Sequence, residues 1–169
     1  MEFKLTKKER FFLQDAKIQE KVCIQKYENY AQQAKDPELK QLLNKHAYQE
    51  QHHYDSISLL LQGKKPDLGG NEESNSSEEQ QSNTNQNKHS EYTSIKNNFE
   101  GTMENENEKV MCLDLFSTEK YISSTYDNDI FECANSEVRE VLQHIQKEEQ
   151  THGEEILNYM NSHGMYKVK

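Results

Sequence analysis

Apolar residues recur at spacings of three and four along Phe12, Ala16, Cys23, Tyr27 and Ala31 or Tyr30, with Glu20 interrupting the series. That period predicts an amphipathic helix. It starts after Thr6, an N-cap with Glu9 at the capping-box position, and runs to about Lys35. Asp36-Pro37-Glu38 closes it and opens the next, because Asp is a good N-cap and Pro suits the first helical position. Helix two is predicted over Pro37 to about Leu61, with the seam Leu39, Leu42 or Leu43, His46, Glu50, His53, Ile57 and Leu60; Gly63 ends it and Pro66 follows. Helix three covers about Val110 to Cys133, with the seam Cys112, Leu115 or Phe116, Glu119, Ile122, Tyr126 and Ile130. After Asn135-Ser136-Glu137, helix four runs from about Glu137 to Ser162 along Val138, Leu142, Ile145, Glu149, His152, Ile156 and Tyr159. Gly164 is a natural residue to end it.

The short connections make helices one and two, and helices three and four, antiparallel hairpins. Each hairpin has an apolar stripe that needs a partner, and packing one on the other gives an all-α antiparallel four-helix bundle. The stretch from about Lys64 to Lys109 differs. Asn71 to Ser90 is nearly all Asn, Ser, Gln, Glu and Thr, too polar to offset the entropy of ordering, so a disordered crossover is expected between helices two and three. Helices of roughly 24–28 residues are about 36–42 Å long, a span that a crossover of this length covers easily. One long crossover is the topology of a ferritin-like bundle. The expected organisation is a first hairpin over 1–62, a polar linker over 63–109 and a second hairpin over 110–169.

Composition narrows the possibilities. The chain has 169 residues and a formal net charge of −10, which argues against nucleic-acid partners and anionic membrane surfaces. No window approaches the roughly eighteen apolar residues that span a bilayer. The residues Met1 to Lys8 contain no apolar signal-peptide core. Cys23, Cys112 and Cys133 are odd in number and have no Cys-x-x-Cys spacing, which fits reduced thiols in a cytosolic setting.

The polar residues inside the seams carry the chemistry. Glu50 with His53, and Glu149 with His152, are two Glu-x-x-His motifs. Residues three apart on a helix share a face, so each pair reaches one point in space, as metal ligands must. About one such match is expected by chance, so a single copy means little. Register decides the matter. A shift of 99 residues lays Glu149 on Glu50 and His152 on His53, and also pairs Asp15 with Asp114, Glu20 with Glu119, Tyr27 with Tyr126, Leu43 with Leu142 and Ile57 with Ile156. This is an internal duplication without a gap in either half.

Each half therefore supplies one upstream Glu and one Glu-x-x-His: Glu20, Glu50 and His53, then Glu119, Glu149 and His152. Burying four carboxylates without counter-charge would cost many kcal/mol. Two divalent cations balance them, and neutral imidazoles complete the set. Oxygen-rich ligation with two imidazoles suits iron first and manganese next. The alternative for any one residue is an outward rotation that leaves an ordinary charged face. Tyr27 and Tyr126, seven residues after Glu20 and Glu119, are either hydrogen-bond donors to ligand carboxylates or core tyrosines. His46, opposite Ile145 in the repeat, reads as a satisfied near-core histidine. His52, whose counterpart is Thr151, reads as peripheral, and His144 and His163 as surface residues.

Thr118-Glu119-Lys120-Tyr121-Ile122-Ser123-Ser124-Thr125-Tyr126 resembles a helix of the spore coat protein F (coat F) family of endospore-forming bacteria. Asn135-Ser136-Glu137-Val138-Arg139 resembles that family's helix turn, and Tyr159 to Tyr166 its tail. The resemblance covers about residues 110–169 and extends more weakly over 1–62. It implies a ferritin-like fold and a role in the spore coat or in sporulation. Members often keep the helical pattern without a full ligand set, so the six ligands here are read from this chain alone. Those six also resemble the rubrerythrin group of di-iron proteins, from which the chain departs by lacking a four-cysteine iron module.

Two functions fit these readings. One is a structural or accessory coat protein, synthesised in the cytoplasm and assembled into the spore coat, partnered by other coat proteins or by a second copy as a homodimer, with no nucleic-acid or membrane partner. The other is a di-iron oxidoreductase or peroxidase acting on peroxide or oxygen.

Overall fold

The computed structural model describes residues 3–68 and 103–166. Among them are four α-helices: α1 (Lys7–Gln33), α2 (Pro37–Leu61), α3 (Met103–Glu132) and α4 (Ser136–Ser162). The expected all-α four-helix bundle is what forms. Neighbouring helices α1 and α2, α3 and α4, α1 and α3, and α2 and α4 pack against each other.

Contacts at the two ends fix the directions. Glu9 near the start of α1 meets Asn135 before α4, whereas Glu108 near the start of α3 meets Lys35 and Asp36 at the α1–α2 turn. Adjacent helices are therefore antiparallel. α2 ends at the opposite end of the bundle from the one where α3 begins, as a long crossover requires. The disordered crossover expected there falls largely on 69–102, outside the described residues.

The helix caps follow the local sequence. Thr6 and Glu9 form a reciprocal capping box at α1. Asp36 accepts from the amides of Glu38 and Leu39, and Asn135 from those of Glu137 and Val138. Gly63 sits at φ +75°, and a Cβ there would meet the Phe3 carbonyl oxygen at 2.5 Å. Phe3 itself donates its amide to the Gly63 carbonyl at 2.9 Å. Only glycine lets the N-terminal segment close over the end of α2.

α3 begins at Met103, seven residues before the expected Val110. The apolar period does start near Val110, but a polar contact extends the helix. The Glu108 carboxylate accepts from the backbone amides of Lys35 and Asp36, each at 2.9 Å, and ties the first turns of α3 to the α1–α2 turn. A hydrophobic pattern carries no trace of such an anchor.

Glu9 is an anchor at the other end. It is 1 % exposed. One carboxylate oxygen accepts from the Thr6 amide at 2.7 Å, and the other accepts from the Asn135 amide at 2.8 Å. Burial pushes its pKa up, but these hydrogen bonds outweigh that and hold it below the usual value. Glu9→Ala strands the Asn135 amide and removes the cap, and is expected to cost about 2–3 kcal/mol near neutral pH. A depressed carboxylate stabilises above its unfolded pKa of about 4.5, and that contribution fades as the pH falls through the folded value. Denaturant unfolding should therefore show a gap between wild type and variant that closes in acid.

Candidate metal centre

The core seam runs Leu13, Ala16, Cys23, Tyr27 and Ala31 on α1, with its counterparts on the other helices. Midway along it the apolar layers stop. Glu20 on α1, Glu50 and His53 on α2, Glu119 on α3, and Glu149 and His152 on α4 all point inward, and none is more than 2 % exposed. The structure brings together all six residues singled out from the sequence. They form two sets, Glu20, Glu50, His53 and Glu149, and Glu50, Glu119, Glu149 and His152, and within each set the donor atoms lie within 4.8 Å of one another. Glu50 and Glu149 belong to both sets. The helix pairs thus generate a pseudo-two-fold site with two shared carboxylates at its centre and one Glu and one His at each side.

The imidazoles face the acids through Nδ1. His53 Nδ1 is 3.0 Å from Glu149, 3.4 Å from Glu50 and 3.6 Å from Glu20. His152 Nδ1 is 3.1 Å from Glu50, 3.6 Å from Glu149 and 3.9 Å from Glu119. Even so, Glu20 Oε2, Glu50 Oε2, Glu119 Oε2, both Glu149 oxygens and His53 Nδ1 lack hydrogen-bond partners among the described residues. Native proteins rarely bury so many orphaned acceptors in one place. Metal ions are one way to satisfy them, and both sets have the buried carboxylate and imidazole donors such ions take.

Protons take the place of positive metal charge when no ion is bound. Burial and the neighbouring Glu149 raise the pKa of Glu20 well above the ordinary value, and burial with Glu149 does the same for Glu119. Burial also pushes up Glu50 and Glu149, but the facing His152 and His53 imidazoles win and hold both below the usual range. Burial opposes charging of His53 and His152. The surrounding carboxylates, with Glu148 foremost for His53 and Glu149 for His152, nevertheless raise both. These directions favour protons on the two imidazoles, Glu20 and Glu119 and favour the ionised form of Glu50 and Glu149.

Tyr27 and Tyr126 act on the centre across the bundle. Tyr27 on α1 donates its hydroxyl to Glu119 on α3, and Tyr126 on α3 donates to Glu20 on α1. Each tyrosine was placed seven residues from a ligand on its own helix, and its partner is the counterpart ligand on the other hairpin. Burial, then the nearby carboxylates, push both phenols far up, so they remain donors. The three cysteines are buried and free. Burial drives their pKa values upward, Cys112 to about 12 and Cys133 to about 11, which keeps them thiols.

The remaining histidines divide. His46 is fully buried, stacked on the His152 ring with centroids 4.3 Å apart, and its Nε2 pairs with Glu155 at 2.7 Å. His52 is exposed beside Tyr48, and His144 is half-buried at 3.3 Å from Glu148. His163 is half-buried against Tyr159 and 3.4 Å from Asp36, not simply a surface residue. Sequence reasoning missed Glu148, whose Oε2 lies 2.9 Å from His53 Nε2. It adjoins a ligand, but the 99-residue shift pairs it with Gln49, so the duplication could not mark it.

Residues 107–169 match the Coat F domain family. A comparison with curated proteins gives no match. Among solved structures the chain is similar to a two-domain protein from Anabaena variabilis containing DJ-1/ThiJ/PfpI-like and ferritin-like domains, with a TM-score of 0.64 and 13% identity over 98% of this chain. That likeness shows the fold, a ferritin-like bundle. The chain spans 40% of the length of that protein.

Proposed function

From a ferritin-like bundle whose second hairpin matches the Coat F domain, we propose a metal-binding protein of the bacterial spore coat. Glu20, Glu50, His53, Glu119, Glu149 and His152 would hold two divalent ions, iron ahead of manganese, with Glu50 and Glu149 shared between them. The observation that carries this reading is the cluster of buried, unpartnered carboxylate oxygens around that point. Tyr27 and Tyr126 orient Glu119 and Glu20, and the apolar layers above and below exclude water. The coat assignment rests on the matched segment. It is supported by exposed apolar side chains, Phe11 and Ile18 on α1 and Tyr121 and Phe131 on α3, that suit contacts with other coat proteins or a second copy. Nucleic acid and membrane are not among the proposed partners; no helix among the described residues is long and apolar enough to cross a membrane.

A fluorescent fusion is expected to ring the forespore in sporulating cells, and protein purified from such cells should carry two metal ions per chain. A diffuse vegetative signal would remove the coat role, and metal-free native protein would remove the centre.

A second reading, a rubrerythrin-like oxidoreductase, is favoured by one observation. The two ligand sets share two residues, so ions held in both would sit side by side, more than a structural role requires. Iron there would supply electron exchange with peroxide or oxygen. Adding peroxide to ferrous-loaded protein should then change its absorbance and be followed by turnover; an unchanged spectrum eliminates this reading.

A further inference from the structure

The centre's two-fold symmetry breaks at the far side of the imidazoles. His53 presents Nδ1 to the carboxylates, and its Nε2 lies 2.9 Å from Glu148 Oε2. Glu148 is partly exposed and is steadied by His144 at 3.3 Å. With that carboxylate accepting, the Nε2 proton is held in place and the Nδ1 lone pair of the neutral ring is aimed at the ligand cluster. On the other side His152 also presents Nδ1, at 3.1 Å from Glu50. Its Nε2 is buried without a hydrogen-bond partner, and so is the Oε1 of Gln49, the residue that stands where the repeat would have Glu148. The His152 ring is flanked instead by His46, a residue whose repeat counterpart is Ile145. When neutral and coordinating through Nδ1, His152 must bury an unpaired Nε2–H, whereas His53 buries a paired one.

We propose that Glu148 makes the two metal positions unequal: the Glu20–His53 side binds first and tightly, and the Glu119–His152 side binds second and releases its ion more readily. The proposal rests on the metal-centre reading and adds to it an order and a residue that sets it. A carboxylate behind a coordinating imidazole fixes its tautomer and raises its basicity, and removing such a partner typically costs 10–100-fold in metal affinity. The unshared ligands are otherwise the same on both sides, one Glu held by one Tyr and one His. The difference behind the imidazoles is then the one that separates the positions.

Anaerobic titration of the metal-free full-length chain with Co2+ alone, followed by visible absorption, tests this. Two steps are expected, their dissociation constants separated by roughly 10–100-fold. Glu148→Gln, nearly isosteric, should weaken the first step by that factor and leave the second alone. Gln49→Glu should strengthen the second step and leave the first alone, a gain that a merely structural role for these residues would not produce. Crystals grown with one equivalent of Co2+ should show anomalous density at the Glu20–His53 side. Two equal steps, insensitive to Glu148→Gln, overturn the proposal while leaving the dinuclear centre standing, as does first occupancy at the Glu119–His152 side. Wild-type protein that takes up no Co2+ overturns the centre itself.

Discussion

Replacing Glu50 and Glu149 together by alanine is expected to take metal content from two ions per chain to none, whereas Glu20→Ala alone should leave one. The difference follows from sharing. Glu50 and Glu149 serve both ligand sets, and without them each side retains only one carboxylate and one imidazole. Losing Glu20 depletes one set and leaves Glu50, Glu119, Glu149 and His152 intact. The double variant should still fold, because Glu20 can pair with His53 and Glu119 with His152, which stand 3.6 and 3.9 Å apart. Metal at a thousandfold excess over its dissociation constant stabilises a folded protein by about 4 kcal/mol. For a bundle of this size that corresponds to a rise in melting temperature on the order of 10–20 °C. Thermal melts with and without added ion should show this rise in wild type and none in the double variant.

The second large effect is in pH, and its sign differs between the metal-free and loaded forms. Glu20, Glu119, His53 and His152 all have raised values in the metal-free fold. A raised group contributes stability that is fully present below its unfolded pKa and is lost as pH climbs through the folded value. For the two acids that loss begins above about 4.5, and for the two imidazoles above about 6.5. Glu50 and Glu149 act oppositely, and their contribution fades only in acid. The metal-free protein should therefore melt lower at about pH 8 than at about pH 6. Divalent ions compete with the protons on the four raised groups, so loading should release protons, and affinity should climb with pH. The stabilisation by metal then widens over the same interval in which the metal-free form weakens. Proton release in weakly buffered solution and melts at the two pH values measure both halves. Loading that released no protons would contradict the charge balance proposed for the centre.

Much of this was legible in the sequence because the chain says the same thing twice. A period of three and four placed the helices, and the Asp36-Pro37 and Asn135-Ser136 caps placed the turns at their observed positions. The 99-residue register lifted six polar residues out of chance, and the structure sets all six in one buried cluster. Features outside the repeat stayed hidden. Glu148 and Gln49 differ between halves, and the contacts that Glu108 and Glu9 make join segments far apart in sequence. Tyr27 and Tyr126 were visible as residues near the centre, but their partners lie on the opposite hairpin, which only packing decides. Repetition reveals what both halves share, whereas the asymmetry that tunes a site has to be seen in three dimensions.

The most direct measurement is an anomalous diffraction map collected at the iron edge from crystals of the full chain soaked anaerobically in ferrous iron. Two peaks are expected, roughly 3.5–4 Å apart, one among Glu20, Glu50, His53 and Glu149 and the other among Glu50, Glu119, Glu149 and His152. A map with no density between these side chains, or with iron bound only elsewhere on the protein, would contradict the dinuclear centre.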